Sequence, residues 1–327
     1  MPLCISIERT LAERAIKELR RRGILDREHL ITRAGNSVIV PVRVNAPGEL
    51  ELSFTRLPVF ECSPPLREIV KAPLPSLDVV GNVVILRENV LKLRRAEDII
   101  AAIKQVYPRV KAVWVKEETN DVFRIPLLKL LWGEEVREIT VKEYGIEMRV
   151  KLGEVYFNPR LAEEHRSVAQ LTKNGEIVVD VFSGIGGFTL HIASMRRCLV
   201  VANDLNPVAY ELLVENIKLN RRKLKSTIIP LNSDAVELPH ILRQGVADRL
   251  IADFPMKSTE YYEVYEKLLK PRGILHLYTV STCSPEYARA KLAGVFENWH
   301  IVQCKPVLEY APRTEIYRCD LVKPDNV

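Results

Sequence analysis

Four short apolar runs, each ending at an aspartate, pattern the C-terminal half of the chain. The first closes on Asp180, the second at residues 199–204 on Asp204, the third, Ile228–Ser233, on Asp234, and the fourth, Asp248–Ala252, on Asp253. Runs of this length bounded by turn residues read as strands. Segments of helical period separate them: Phe188, Leu190 and Ile192 continue one helix, and Asn206-Pro207 opens another whose amphipathic pattern runs from Ala209 to Asn220. Strands alternating with helices predict a doubly wound α/β unit, in which ligands lie beyond the carboxyl ends of the strands. The four aspartates are therefore expected around one crevice. Each taken singly also reads as a cap for the next helix, but capping alone does not account for four in succession.

The N-terminal half is patterned differently. Apolar positions at residues 7–22 fall at helical spacing, Gly23 and Asp26 break the pattern, and Ser37–Val44 alternates as a strand. Prolines at 64, 65, 73 and 75 then mark a connection whose fixed backbone angles suit a linker. From Asp78 an apolar strand, a helix over Ala96–Val106 and a strand at Val110–Val115 form a second α+β module. Two hairpin strands, Arg137–Glu143 and Ile146–Leu152, follow. The expected division is 1–64, 65–148 and 149–327. A short helix beginning at Asn158 or Pro159 carries Arg160, Glu164 and His165 just ahead of the first α/β strand, with Arg160 and Glu164 on one face.

Composition narrows the class. The chain has 327 residues and 47% hydrophobic content, enough for a substantial core. No apolar run approaches the roughly 18–20 residues that cross a bilayer, and the N-terminus lacks a signal peptide's pattern, so a cytoplasmic location is expected. The six cysteines, at 4, 62, 198, 283, 304 and 319, include no Cys-x-x-Cys pair, which argues against a zinc site and a disulfide framework and leaves them as inert thiols. The net charge is +6, with basic clusters at Arg20–Arg22, Arg94–Arg95 and Arg221–Lys223 with Lys225 that suit either phosphates or plain solvent. Tyr156, Phe157 and Trp132 are candidates for stacking on nucleotides or for core packing.

The chemistry concentrates at Asp180-Val-Phe182-Ser-Gly184-Ile-Gly186-Gly187. Glycines there let backbone approach a ligand, and Asp204, about twenty residues on, is placed to accept ribose hydroxyls. The loop lacks the lysine that a nucleoside triphosphate requires, and S-adenosylmethionine suits the series of strand-end carboxylates better than NAD.

The run Val155-Tyr-Phe-Asn-Pro-Arg-Leu-Ala-Glu-Glu164, the Asp180 loop, Asp204-Leu205-Asn206-Pro207 and Tyr310-Ala-Pro-Arg313 together resemble the archaeal and eukaryotic type tRNA (guanine37-N1)-methyltransferases. The resemblance covers nearly the whole chain. It implies a class I, Rossmann-like methyltransferase domain behind two smaller α+β modules, S-adenosyl-L-methionine as cofactor, and tRNA as partner, bound at the anticodon loop and outer corner by a monomer. It further implies Glu164 as general base for the guanine N1 proton, Arg124 on guanine O6, Arg160 as a positioning residue, and Asp253 and Pro255 in place of the family's Asn-x-Pro. Cofactor contacts expected are His165, Asp180, Phe182, Gly184, Gly186, Asp204, Leu205, Asn206, Asp234, Ala235 and Asp253. Two positions depart from the family: Asp253 stands for asparagine, losing a donor, and His165 for arginine. His165 reads as a cofactor contact or as a helix-surface residue. These departures leave open a tRNA-binding paralogue without catalysis; an aminocarboxypropyl transferase of the wybutosine pathway shares the fold and cofactor but normally lacks the Pro-Arg-Leu-x-x-Glu arrangement.

Overall fold

Ile5 and Ile7 are buried and lie on a strand, β1 (Leu3–Glu8), that runs without a turn into helix α1 (Arg9–Arg21). With no punctuating residue between them, Ile7 reads as part of the helical period, which is why the sequence pattern shows the helix and not the strand. The computed structural model describes residues 3–26, 31–34, 37–62, 77–92, 95–117, 125–282, 284–311 and 313–325. The chain divides into two units, Met1–Glu117 with Lys129–Glu135, and Glu118–Leu128 with Val136–Val327.

In the first unit, β1, β2 (Thr32–Ala34), β3 (Ser37–Val42), β4 (Gly48–Leu52) and β5 (Thr55–Glu61) form an antiparallel sheet in the order β2-β3-β1-β5-β4. Ala12, Ala15 and Leu19 bury one stripe of α1 in the same core as Ile5, Ile7 and Val40. A second sheet, β6 (Asp78–Val80), β7 (Val83–Arg87), β8 (Ala112–Lys116) and β9 (Leu128–Gly133), carries helix α2 (Ala96–Val106) as the crossover between parallel β7 and β8.

The second unit opens with a hairpin, β10 (Glu138–Glu143) and β11 (Ile146–Lys151). Tyr144 at φ 46° and Gly145 at φ 91° close it, the two positive angles that a two-residue turn matching strand twist requires. This hairpin groups with the α/β domain, so a division after residue 148 cuts β11. Helix α3 (Ala162–Leu171) leads into β12 (Ile177–Asp180), α4 (Gly187–Met195), β13 (Leu199–Asn203), α5 (Pro207–Asn220), β14 (Thr227–Leu231), α6 (Leu238–Ile241), β15 (Ala247–Ala252), α7 (Tyr262–Leu268), β16 (Leu269–Thr282), α8 (Pro285–Ala293), β17 (His300–Ala311) and β18 (Thr314–Val322). The seven strands are ordered β14-β13-β12-β15-β16-β18-β17; the first five are parallel, and β18 is antiparallel to both its neighbours. The chain thus leaves β12 first to one side and then to the other, which sets a topological switch point between β12 and β15.

Two asparagines tie α5 to the hairpin. The Asn216 side chain accepts from the Arg149 amide at 2.7 Å and donates to its carbonyl at 3.2 Å, and Asn220 does the same with Glu147, at 3.0 and 2.6 Å. The match is geometric: four residues of helix rise about 6 Å and two residues of strand about 6.7 Å.

The cysteines depart from the sequence expectation. Cys4 is bonded to Cys62 and Cys304 to Cys319, while Cys198 is free and buried; Cys283 lies outside the described residues. Cys304 and Cys319 face each other in the β17–β18 register, and Cys62 lies two residues beyond the Phe60 partner of Cys4. Strand pairing brings together cysteines that spacing along the chain does not relate.

The central strand ends on a carboxylate removed from water. Asp180 is fully buried; one oxygen accepts from the Thr189 hydroxyl at 2.7 Å and the other has no hydrogen-bond partner among the described residues. Burial, chiefly, with the negative charges of Asp253 and Asp204 adding to it, pushes its pKa up to about 7. A carboxyl whose pKa is raised by folding costs stability as pH rises from its unfolded value of about 3.8 through about 7, and the cost is complete above that. Asp180→Asn should therefore melt higher than the wild type at pH 8, by the equivalent of a few kcal/mol at most, with the gap closing by pH 4; scanning calorimetry of the two proteins at both values checks this, and a pH-independent gap counts against the burial argument. Likewise, replacing the Cys4–Cys62 bridge by two alanines should cost about 2–4 kcal/mol, measured as a lower denaturant midpoint that reductant no longer affects at that bridge.

Candidate cofactor and catalytic site

The switch point holds a cavity whose walls come from the loops after β12, β13, β14 and β15. Ser183 and Gly184 on the first loop, Asp204 to Asn206 on the second, Asp234 and Ala235 on the third, and Asp253 and Phe254 on the fourth all line it. Three of the four strand-end aspartates thus share one cavity, and Asp180 lies buried behind it, close enough to Asp253 and Asp204 to feel their charge. Among the residues expected at the cofactor, Gly186 and Asp180 are not part of the lining.

Two glycines of the loop are required for different reasons. Gly184 adopts φ 54° with open space where a side chain would project, so only backbone approaches the cavity there. Gly187 has ordinary angles, but a Cβ on it would lie 2.5 Å from the His165 ring. The ring and the first turn of α4 therefore pack at a distance only glycine permits.

Asp204 is fixed from two sides, accepting from the Gly184 amide at 2.7 Å and the Asn206 amide at 2.9 Å. Burial raises its pKa, and the two amide bonds oppose the rise. Asn206 caps α5 through the Val208 amide and donates to the Glu154 carbonyl at 2.9 Å, joining the segment before α3 to the second loop. Asp234 caps the short turn that follows it, accepting from Val236 at 3.1 Å. Around these polar groups Phe182, Phe254 and Tyr261 form an aromatic cluster with centroids 4.9–6.3 Å apart. Tyr156 and Phe157 also line the cavity, whereas Trp132 lies in β9 beneath Lys104 and packs against the core beneath α2.

The Pro-Arg-Leu segment folds as a 3₁₀ turn, Pro159–Leu161, capped by the Asn158 side chain on the Arg160 amide. Arg160 is exposed there, in the 3₁₀ turn ahead of the α-helix proper that carries Glu164. Glu164 is buried, and one oxygen accepts from the Tyr278 hydroxyl and from Arg318, each at 2.8 Å, while Lys305 lies 3.0 Å from the other. His165, one residue on, is the one that lines the cavity; successive helical residues point about 100° apart, so the two cannot share a face. His165 is buried, not a helix-surface residue. Pro255 is buried beside the Val280 amide, which donates to its carbonyl, and is outside the lining. Arg124 lies outside the described residues.

Arg318, Tyr278, Lys305 and His276 belong to a network that the sequence did not suggest. Arg318 binds Asp320 at 2.9 Å, Asp320 accepts from His276, and His276 accepts from Arg249, itself paired with Glu176 at 2.7 Å. Burial opposes the charge on Asp320, yet His276 and Arg318 hold its carboxyl far below the usual range, and Glu164 and Asp320 likewise outweigh burial at Arg318. Strand alternation on β16 and β18 was the available signal: His276, Tyr278, Arg318 and Asp320 occupy alternate positions. Of the basic clusters, Arg221, Arg222 and Lys225 are exposed, and Lys223 binds the Gly145 carbonyl at 2.7 Å.

Comparison with known proteins extends this picture. Residues 139–298 match the TRM5/TYW2 methyltransferase domain, and residues 4–51 the tRNA methyltransferase 5 N-terminal domain. The tRNA (guanine(37)-N(1))-methyltransferase Trm5b of Pyrococcus abyssi is 32% identical over 85% of this chain and 84% of its own. The crystal structure of that Pyrococcus abyssi Trm5b superposes with a TM-score of 0.69 at 29% identity, covering 99% of this chain and 100% of the other. A Methanocaldococcus jannaschii protein named tRNA(Phe) (4-demethylwyosine(37)-C(7)) aminocarboxypropyltransferase is 33% identical over 61% of this chain and 76% of its own. The chain belongs to the TRM5/TYW2 family of S-adenosylmethionine-dependent methyltransferases, as a member of its tRNA (guanine37-N1)-methyltransferase group.

Proposed function

We propose that the protein transfers a methyl group from S-adenosylmethionine to N1 of guanosine 37 in tRNA. The observation that carries this reading is the match to Trm5b along both the N-terminal domain and the methyltransferase domain. The site residues fit the cofactor: a carboxylate at Asp204 suits a ribose diol, Asp234 and Ala235 suit the adenine edge, the Phe182, Phe254 and Tyr261 cluster suits its face, and Gly184 offers backbone to the methionine moiety. When bound, S-adenosylmethionine supplies an electrophilic methyl group. N1 of guanine carries a proton that must leave as the methyl arrives, and Glu164 is the base assigned to it. Its partners set the terms of that role, since Arg318, Lys305 and Tyr278 orient the carboxylate and must yield one oxygen to the nucleobase. Arg124 is assigned to guanine O6, where negative charge develops, Arg160 to positioning Glu164 and the loop, and Asp253 to the nucleobase edge. Residues 1–64 are assigned to tRNA binding, with the anticodon loop reaching the methyltransferase domain of a single chain.

A relative named as an aminocarboxypropyltransferase supports a second reading on the same fold, aminocarboxypropyl transfer. Incubation with labelled cofactor and tRNA transcripts differing only at position 37, followed by mass spectrometry, separates a methyl adduct from the heavier group. Glu164→Gln should lower kcat by about 100-fold or more with cofactor affinity kept, and Asp204→Ala should weaken cofactor binding by roughly tenfold to a hundredfold, read by calorimetry. Methylation at the wild-type rate by Glu164→Gln would remove Glu164 from the proposal.

A further inference from the structure

Glu143, His165 and His191 are buried together at the junction of the hairpin, α3 and α4. Glu143 is the last residue of β10, and its Oε2 lies 2.8 Å from His165 Nδ1 and 3.9 Å from His191 Nε2. Among the described residues, two atoms of the cluster have no hydrogen-bond partner despite burial, Glu143 Oε1 and His191 Nε2. His191 Nδ1 is committed elsewhere: it lies 2.9 Å from the Gly187 carbonyl, which can only accept, so Nδ1 carries a proton and Nε2 is the nitrogen turned toward the carboxylate. Leaving a buried acceptor and a buried carboxylate oxygen without partners costs about 1–3 kcal/mol each. The cofactor site described above uses neither Glu143 nor His191.

We propose that Glu143, His165 Nδ1 and His191 Nε2 bind a divalent transition-metal ion, with zinc the best match. Two imidazoles and one carboxylate form the donor set that zinc takes with a fourth position left to solvent. The donor atoms all lie within 4.8 Å of one another, and neighbouring ligands of a tetrahedral zinc stand about 3.4 Å apart. The ion requires the Glu143–His165 pair, now 2.8 Å apart, to open slightly and His191 to approach from 3.9 Å. The backbone carbonyl on His191 Nδ1 is the outer-shell partner that fixes the tautomer of a metal-bound histidine. Binding displaces the proton from His165 Nδ1, and that proton moves to Nε2 of the same ring, which packs against Gly187 and the cavity. Occupancy would thereby clamp the hairpin to both helices and change the ring nitrogen beside the cofactor from acceptor to donor.

The test uses untagged, chelator-treated full-length protein titrated with Co(II) and Zn(II). One equivalent of Co(II) should give the intense visible absorption of a low-coordinate site, Zn(II) should displace it, and the melting temperature should rise. His191→Gln and Glu143→Gln should each weaken binding by about 100-fold or more, while cofactor binding by the same variants shows that they fold. Independently of any variant, the wild-type Co(II) form should display paramagnetically shifted proton resonances from two histidine rings. No saturable binding, binding untouched by either substitution, or shifted resonances from fewer than two rings would overturn the proposal. The outcome is separate from tRNA methylation, since every readout is on the protein and metal alone.

Discussion

Parallel strands that leave a central strand in opposite directions cannot keep their loops together, and the site depends on that constraint. The crevice opens between β12 and β15, so the loops after these strands and after β13 and β14 turn polar ends toward a common space. What the crevice then needs is a floor that tolerates charge. Asp180 supplies it at a cost in desolvation, held by Thr189 from α4 and pressed by the neighbouring carboxylates. The glycine loop lies over it, with Gly184 giving up its side chain to the cavity and Gly187 giving up its own to the His165 ring.

The α/β half was legible because its information is local. Apolar runs, glycines and aspartates recur at strand ends, and the structure has β12 to β15 within a residue or two of those runs. The catalytic side was less so. Spacing puts Arg160 and Glu164 on one face only if the helix is regular from its first residue, and a 3₁₀ turn comes first. Glu164 turns instead to Tyr278, Lys305 and Arg318, up to 154 residues away along the chain, partners that no local pattern could supply.

Two further features were hidden for related reasons. Cysteines 15 and 58 residues apart are brought together by antiparallel pairing, which a search for short motifs does not see. Glu143 and His191 each look ordinary in sequence, one ending a strand and the other lying within an apolar helix. Their meeting with His165 depends on the hairpin folding back over two helices that follow it.

The bonds from Asn216 and Asn220 to β11 have one more consequence. A two-stranded hairpin has two outer borders, and each normally offers a row of amides and carbonyls that another chain can zip onto. On β11 the Glu147 and Arg149 positions of that row are filled by side-chain amides from α5, which donate and accept in the sense a neighbouring strand would. The helix thus serves as a blind end to the ribbon, shielding it from self-association without adding a third strand.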